Sequence, residues 1–332
     1  MPPKVLICGE LDWAQEDAKQ LLQDFAEVIP LSSPTRADFL QGFQAGGKYD
    51  GVVAIYRDNS SARFIGNFDK EIIRGISSSS VKWIAHNGAG YDRIDVQECK
   101  ACGIMVSNTP GAVDDATATT ALYLLIATFR QFSAGERSLR ALNWRVTGTT
   151  QTSRDLTGHT IAILGLGGIG LRLAGLVHAF PMRVIYHSRN EVANAPEWCE
   201  YFEDVEEMCA QADVLSVHVP LNKDTVDLVG EKIIRSLKRG AVIINTARGK
   251  VIDEAAMIRA LEDGHLSSVG LDVFPNEPEI NPRLLEFPQL TLLPHMGTDT
   301  KDTEYKMELR ALQNIRDFFA KGRGNDLVSE HK

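Results

Sequence analysis

The stretch Thr160-Ile161-Ala162-Ile163-Leu164-Gly165-Leu166-Gly167-Gly168-Ile169-Gly170 is an apolar run that ends in G-x-G-x-x-G. Its first part, Ile161–Leu164, predicts a strand buried on both faces, as in a parallel sheet. Helical spacing follows from Ile169 to Ala179, and a second apolar run, Arg183–Tyr186, comes next. The glycine pattern alone is a weak signal, but here it sits between a strand and a helix, as its chemistry requires. Gly165 makes the tight turn and Gly167 lets the backbone approach a pyrophosphate. Gly170 lets helix and strand pack closely, while Gly168 and Ile169 open a helix whose N-terminus faces the anion. The stretch predicts a doubly wound α/β fold with a dinucleotide at the loop.

The second strand runs into Val184-Ile185-Tyr186-His187-Ser188-Arg189-Asn190. An acid expected there would hold a ribose 2′-hydroxyl and repel a 2′-phosphate. A hydroxyl and a guanidinium stand in its place. Ser188 can donate a hydrogen bond to that phosphate, and Arg189 can neutralise it. The preferred cofactor is therefore NADP(H), with NAD(H) left open.

Three side chains further on suit one reaction. Arg248 follows the apolar run Ala241–Asn245, Glu277 lies in Asn276-Glu277-Pro278, and His295 lies in Leu293-Pro294-His295-Met296-Gly297. A guanidinium can bridge the carboxylate and carbonyl of a 2-oxo acid and polarise the C=O. An imidazole can pass a proton to the forming alkoxide and take it back in the reverse direction. A carboxylate can orient that imidazole. Upstream, His86-Asn87-Gly88-Ala89-Gly90-Tyr91-Asp92 follows another predicted strand, and its glycine-rich backbone can cradle a carboxylate.

Outward from these motifs, short apolar runs alternate with helical patterns along the 332 residues, enough chain for two domains. The first part carries candidate strands at Val5–Cys8, Gly51–Ile55, Lys82–Ala85 and Met105–Ser107, with a helical pattern at Ala14–Phe25. The second adds Val214–Val217, Ala241–Asn245, Ser268–Asp272 and Leu290–Leu293, with helices at Val205–Ala210, Glu231–Ser236 and Glu254–Gly264. A long apolar helix is predicted from Asp115 to Phe132, buried between domains or subunits. The polar segment 141–158, with Trp144 inside, reads as a surface connection. An amphipathic helix, Glu304–Gly322, closes the chain and is placed to return to the first part. Trp13, Tyr56 and Phe64 are candidates for an aromatic-tolerant pocket, with core packing the favoured reading for each.

The formal charge of -9 and the lack of a long basic run argue against a nucleic-acid partner. Lys4-Val5-Leu6-Ile7-Cys8 reads as a strand rather than a secretion signal, and no run of about 18 apolar residues predicts a membrane span. Five scattered cysteines point to reduced thiols in a cytoplasmic protein. Cys99 and Cys102 form a lone C-x-x-C, too few ligands for zinc.

Taken together, the chain resembles the D-2-hydroxyacid dehydrogenase family. The resemblance is carried, in order, by Gly88-Ala89-Gly90-Tyr91-Asp92, Asn108-Thr109-Pro110-Gly111, Gly165–Gly170, His218-Val219-Pro220, Asn245-Thr246-Ala247-Arg248-Gly249, Gly270-Leu271-Asp272-Val273-Phe274, Glu277-Pro278 and Pro294-His295. It implies a flavodoxin-like substrate domain (1–108 plus 301–332), a Rossmann cofactor domain (109–300), a cleft between them, a homodimer and action on the D enantiomer. By resemblance Arg248 binds substrate, Glu277 and His295 form the acid–base pair, and backbone at Ala89 and Gly90 meets the substrate carboxylate. Asp272 would hold the nicotinamide carboxamide, and His218, Val219 and Pro220 would line the adenosine pocket. Thr117, Asn190, Thr225, Thr246, Ala247 and Gly297 complete the cofactor set. Thr117 and Thr119 depart from the residues usual in the family, a valine and often an acid. Ser188-Arg189 resembles the NADP(H)-using glyoxylate and hydroxypyruvate reductase branches, and Asp115-Ala116-Thr117 is similar to fungal-type D-mandelate dehydrogenases. Two other readings share the scaffold: a dinucleotide-sensing corepressor, and phosphite or formate oxidation.

Overall fold

A computed structural model describes residues 2–144 and 149–331. The chain divides into two units, 1–113 with 299–332, and 114–298. In the first, strands β1 (Lys4–Cys8), β2 (Glu27–Pro30), β3 (Val52–Arg57), β4 (Trp83–His86) and β5 (Met105–Ser107) form a parallel sheet in the order β2-β1-β3-β4-β5. In the second, β6 (Thr160–Leu164), β7 (Arg183–His187), β8 (Cys199–Tyr201), β9 (Val214–Val217), β10 (Ala241–Asn245), β11 (Leu266–Leu271) and β12 (Thr291–Leu292) pair in parallel as β12-β11-β10-β9-β6-β7-β8. Each order reverses once, and doubly wound sheets bind ligands beyond the strand C-termini at that reversal. The α/β, doubly wound reading of the sequence holds in both units.

Period-two alternation explains why helices cover both faces of each sheet. In β1, Leu6 and Cys8 pack with Phe39, Ile72 and Ile84, whereas Val5 and Ile7 pack with Trp83, Leu312 and Ile315. In β6, Ala162 and Leu164 join a core with Leu215 and Ile243, and Ile161 and Ile163 join another with Leu125, Leu173 and Val177. The closing helix, Lys301–Lys321, thus lies on the sheet of the first unit. From it, the buried Glu308 accepts the amides of Asp12, Trp13 and Ala14 at 2.8–2.9 Å, acting as the N-terminal cap of helix Gln15–Leu22. Leaving those amides unmet would cost about 1–3 kcal/mol each.

Several expectations change. β2 and β8 escape sequence patterning because they are short edge strands, one of them ending in Pro30. The long helix is Asp114–Arg130. It stops at Gln131, whose φ of 56° is left-handed and whose side chain donates to the Thr128 carbonyl, and a second helix, Phe132–Arg140, then begins. Within the second unit the long helix packs closely on β11, where a side chain at Gly270 would press on Leu124 and Thr128. Of the connection 141–158, residues 145–148 lie outside the described residues, and Thr149–Thr152 forms a short helix. Tyr56 is core, as favoured, but Trp13 and Phe64 are not. They are 46% and 56% exposed, Trp13 under the Lys301 ammonium, in segments that leave the C-terminal ends of β1 and β3. Cys99 and Cys102 are free thiols. No helix among the described residues is long and apolar enough to cross a membrane.

Candidate active site

The glycine loop joins β6 to the helix Gly168–His178. Gly165 has φ +98°, and a side chain there would crowd the His218 backbone and Val219. At Gly170 a Cβ would collide with the Gly165 carbonyl, so these two glycines are fixed by the fold. Nothing lies within 4 Å of a Cβ built on Gly167. The one glycine assigned to a pyrophosphate is therefore the one that faces open space, at a helix N-terminus with no side-chain cap. These residues fit a dinucleotide.

Beyond β7, the Ser188 hydroxyl accepts the Leu166 amide at 3.0 Å, which ties the strand end to the loop and leaves the hydroxyl proton to donate. Arg189 and Asn190 are exposed. His218 Nε2 meets Ser216 Oγ at 2.8 Å, and burial pushes the ring down to about 4, so it is neutral at ordinary pH. Thr225 spends its hydroxyl locally, donating to the Pro220 carbonyl and accepting the Asn222 amide.

At the end of β10, the buried Asn245 builds the turn that carries Arg248. Its Oδ1 accepts the Ala247 amide and its Nδ2 donates to the Arg248 carbonyl, both at 2.9 Å. Arg248 Nη1 also donates to the Ala247 carbonyl at 2.8 Å, and the Thr246 hydroxyl is buried beside them. Gly249 has no room for a side chain, because a Cβ there would strike the Phe274–Pro275 backbone. That close approach joins the Arg248 turn to the segment bearing Glu277.

Glu277 Oε1 accepts the Phe274 amide at 3.0 Å, and Oε2 lies 2.7 Å from His295 Nδ1. Burial alone would raise the Glu277 carboxyl. The His295 hydrogen bond, the Phe274 amide and the nearby Arg248 charge outweigh it and hold the group below its ordinary value. His295 has φ 55°, a left-handed conformation that costs a non-glycine residue about 1–3 kcal/mol and gathers at functional sites. The turn is held by the buried Asp272, just past β11, whose two oxygens accept the Met296 and Gly297 amides at 2.8 and 2.9 Å. Thr117 Cγ2 lies 3.7 Å from where a Gly297 Cβ would stand. The second unit therefore gathers Arg248, Glu277, His295, Asp272, Gly297 and Thr117 beyond the ends of β10, β11 and β12.

In the first unit, Ala89 and Gly90 follow β4 and are half-buried, and their amides meet no partner among the described residues. Three supporting residues had no role in the sequence reading: Asn245, Gly249 and the Phe274 amide. Asn245 and Gly249 flank Arg248 in the quoted motif. The amide left no signal, because a backbone group has none.

A glycine loop that fits a dinucleotide, an arginine and a carboxylate-oriented histidine, each beyond a parallel strand, define a nicotinamide-linked oxidoreductase of 2-oxo and 2-hydroxy acids. Residues 122–297 match the family described as D-isomer specific 2-hydroxyacid dehydrogenase, NAD binding domain, and the chain belongs to that family. It is 41% identical over 330 residues to 4-methyl-2-oxopentanoate reductase A of Aspergillus oryzae, covering 99% of each chain. Among solved structures it is similar to a glyoxylate reductase from Paecilomyes thermophila, with TM-score 0.93, 41% identity and coverage of 100% and 99% of the two chains. It is also similar to the holo D-mandelate dehydrogenase of Rhodotorula graminis, with TM-score 0.91, 30% identity and coverage of 99% and 98%. None of these supports the corepressor alternative.

Proposed function

We propose that the chain reduces 2-oxo acids to D-2-hydroxy acids with NADPH in preference to NADH, the second unit binding the cofactor and the first contributing to substrate binding. When bound, the nicotinamide supplies the hydride to the substrate's C2. Arg248 and the Ala89 and Gly90 amides bind the substrate carboxylate, and Arg248 also polarises the carbonyl. His295 gives a proton to the developing alkoxide through Nε2, because Nδ1 is taken by Glu277. Glu277 holds the ring in that orientation and balances its charge as the proton moves. Ser188 and Arg189 bind the 2′-phosphate, with Asn190 in the same turn. Thr117, Asp272 and Gly297 stand on the nicotinamide side. The glycine loop, His218, Val219, Pro220, Thr225, Thr246 and Ala247 complete the cofactor site.

The observation that carries this reading is the 2.7 Å Glu277–His295 bond with Arg248 close enough to act on the same carboxylate. The five free cysteines suit a reducing cytoplasm. Exposed Tyr123, Phe132, Leu139, Leu142 and Trp144, on one stretch of chain, suit a homodimer. Absorbance at the nicotinamide band, with glyoxylate, hydroxypyruvate, 4-methyl-2-oxopentanoate and phenylglyoxylate, each with NADPH and NADH, tests the proposal. Turnover with NADPH ahead of NADH is expected. NADPH binding without turnover of any 2-oxo acid refutes the reductase reading.

A further inference from the structure

The loop Gly88–Gly90 has all three of its carbonyls held by other residues. The Thr109 amide donates to the Gly88 carbonyl at 3.1 Å, Asn108 Nδ2 to the Ala89 carbonyl at 2.7 Å, and His86 Nε2 to the Gly90 carbonyl at 2.9 Å. Thr109 Oγ1 also accepts the Gly88 amide at 3.1 Å. A carbonyl can only accept, so His86 Nε2 carries the proton toward Gly90. The other ring nitrogen, Nδ1, lies 3.2 Å from both the Arg57 carbonyl and Arg57 Nη1, and Nη1 is itself 2.6 Å from Asn59 Oδ1. Arg57, His86 and Thr109 are fully buried. Asn108 is anchored in turn, its amide donating to the Asp326 carbonyl at 3.2 Å.

A trans peptide points its C=O and N–H to opposite sides. Pinning the Gly88 and Ala89 carbonyls therefore turns the Ala89 and Gly90 N–H groups the other way, side by side, as a concavity for an anion. Neither amide has a hydrogen-bond partner among the described residues. We infer that Asn108, Thr109 and His86, with Arg57 behind His86, are positioning residues that aim the Ala89 and Gly90 amides at the substrate carboxylate. The frame touches no reacting atom. It removes the freedom of the peptide planes before substrate arrives, so binding does not have to order them. This rests on the 2-oxo acid reductase reading given above.

The carboxylate is present in substrate and transition state alike, so loosening its amides weakens both equally and moves KM rather than kcat. Asn108→Ala and His86→Leu are therefore expected to raise KM for glyoxylate on the order of tenfold, with kcat and NADPH affinity close to wild type. His86→Gln keeps an N–H donor and should recover part of the loss. The assays are steady-state kinetics with glyoxylate, NADPH binding by fluorescence and thermal melting. An unchanged KM in Asn108→Ala overturns the inference. So does a joint fall of kcat, NADPH affinity and melting temperature, which would mark a purely structural frame. If His86→Leu does not fold, the half-exposed Asn108 decides alone. Wild type that turns over no 2-oxo acid is a separate outcome: it removes the reductase reading and the inference with it.

Discussion

Replacing Glu277 by glutamine tests the proposed acid–base pair with the least disturbance. The amide oxygen can still accept the Phe274 N–H, but the amide nitrogen then faces His295 Nδ1 in place of a carboxylate oxygen. Nδ1 must accept, and a doubly protonated ring loses its partner. A charge-assisted hydrogen bond contributes about 1.5–3 kcal/mol when shielded. The His295 and Glu277 side chains are 43% and 21% exposed, so solvent screening leaves roughly half, about 0.8–1.5 kcal/mol. At about 1.4 kcal/mol per decade, kcat/KM for the best 2-oxo acid should fall about 4- to 12-fold. The melting temperature should move little, since a partly exposed pair adds about 0–1 kcal/mol to folding. Progress curves at the nicotinamide band, NADPH binding and melting give the three readouts. Activity within about twofold of wild type would refute the argument. A matching loss of NADPH affinity would refute it too, by making Glu277 part of the cofactor site instead.

Three other perturbations reach different parts of the molecule. Arg189→Ala should weaken NADPH by about 10- to 100-fold, the loss of a charge-assisted phosphate contact, and leave NADH nearly unchanged; equal losses in a binding titration would show that Arg189 does not read the 2′-phosphate. Gly249→Ala inserts a methyl group into the Phe274–Pro275 backbone. It should cost about 1–3 kcal/mol of stability and, by moving Arg248, lower kcat/KM by about 100-fold; wild-type kinetics would refute the coupling of the two segments. Burial, with Asp299, Asp58, Glu308 and Glu10 around it, pushes Glu304 up to about 7. The folded state thus keeps a proton that the unfolded chain releases near its ordinary value, and stability falls as pH rises from there through about 7. Glu304→Gln should stabilise the fold at pH 8 by about 1 kcal/mol after screening, read as a higher melting temperature, and not at pH 5; the same gain at both would refute it.

How much was legible in the sequence depended on how each feature is built. β9 and β10 were readable to the residue because buried parallel strands are continuous apolar runs. Arg248, Glu277 and His295 stood out because each lies in a short motif beside a strand end or a proline. The left-handed Gln131 and His295 were not readable, since only tertiary packing holds such residues at positive φ. Glu308 as a cap for a helix nearly 300 residues earlier left no local pattern. The frame around Gly88–Gly90 was half visible: Asn108 and Thr109 were in a motif, but their contacts with backbone carbonyls have no signature in side-chain order.

The return of helix Lys301–Lys321 to the first sheet has a consequence for biosynthesis. As the ribosome works from the N-terminus at about 5–20 residues per second, the five strands of the first unit emerge well before the helix that covers one of their faces. Val5, Ile7 and Trp83 wait for Leu312 and Ile315. The inserted segment 114–298 has its own cores and can finish first. Truncation just after residue 298 would leave the earliest-made sheet bare on one side, a target for chaperones and aggregation, while the last-started unit stayed intact.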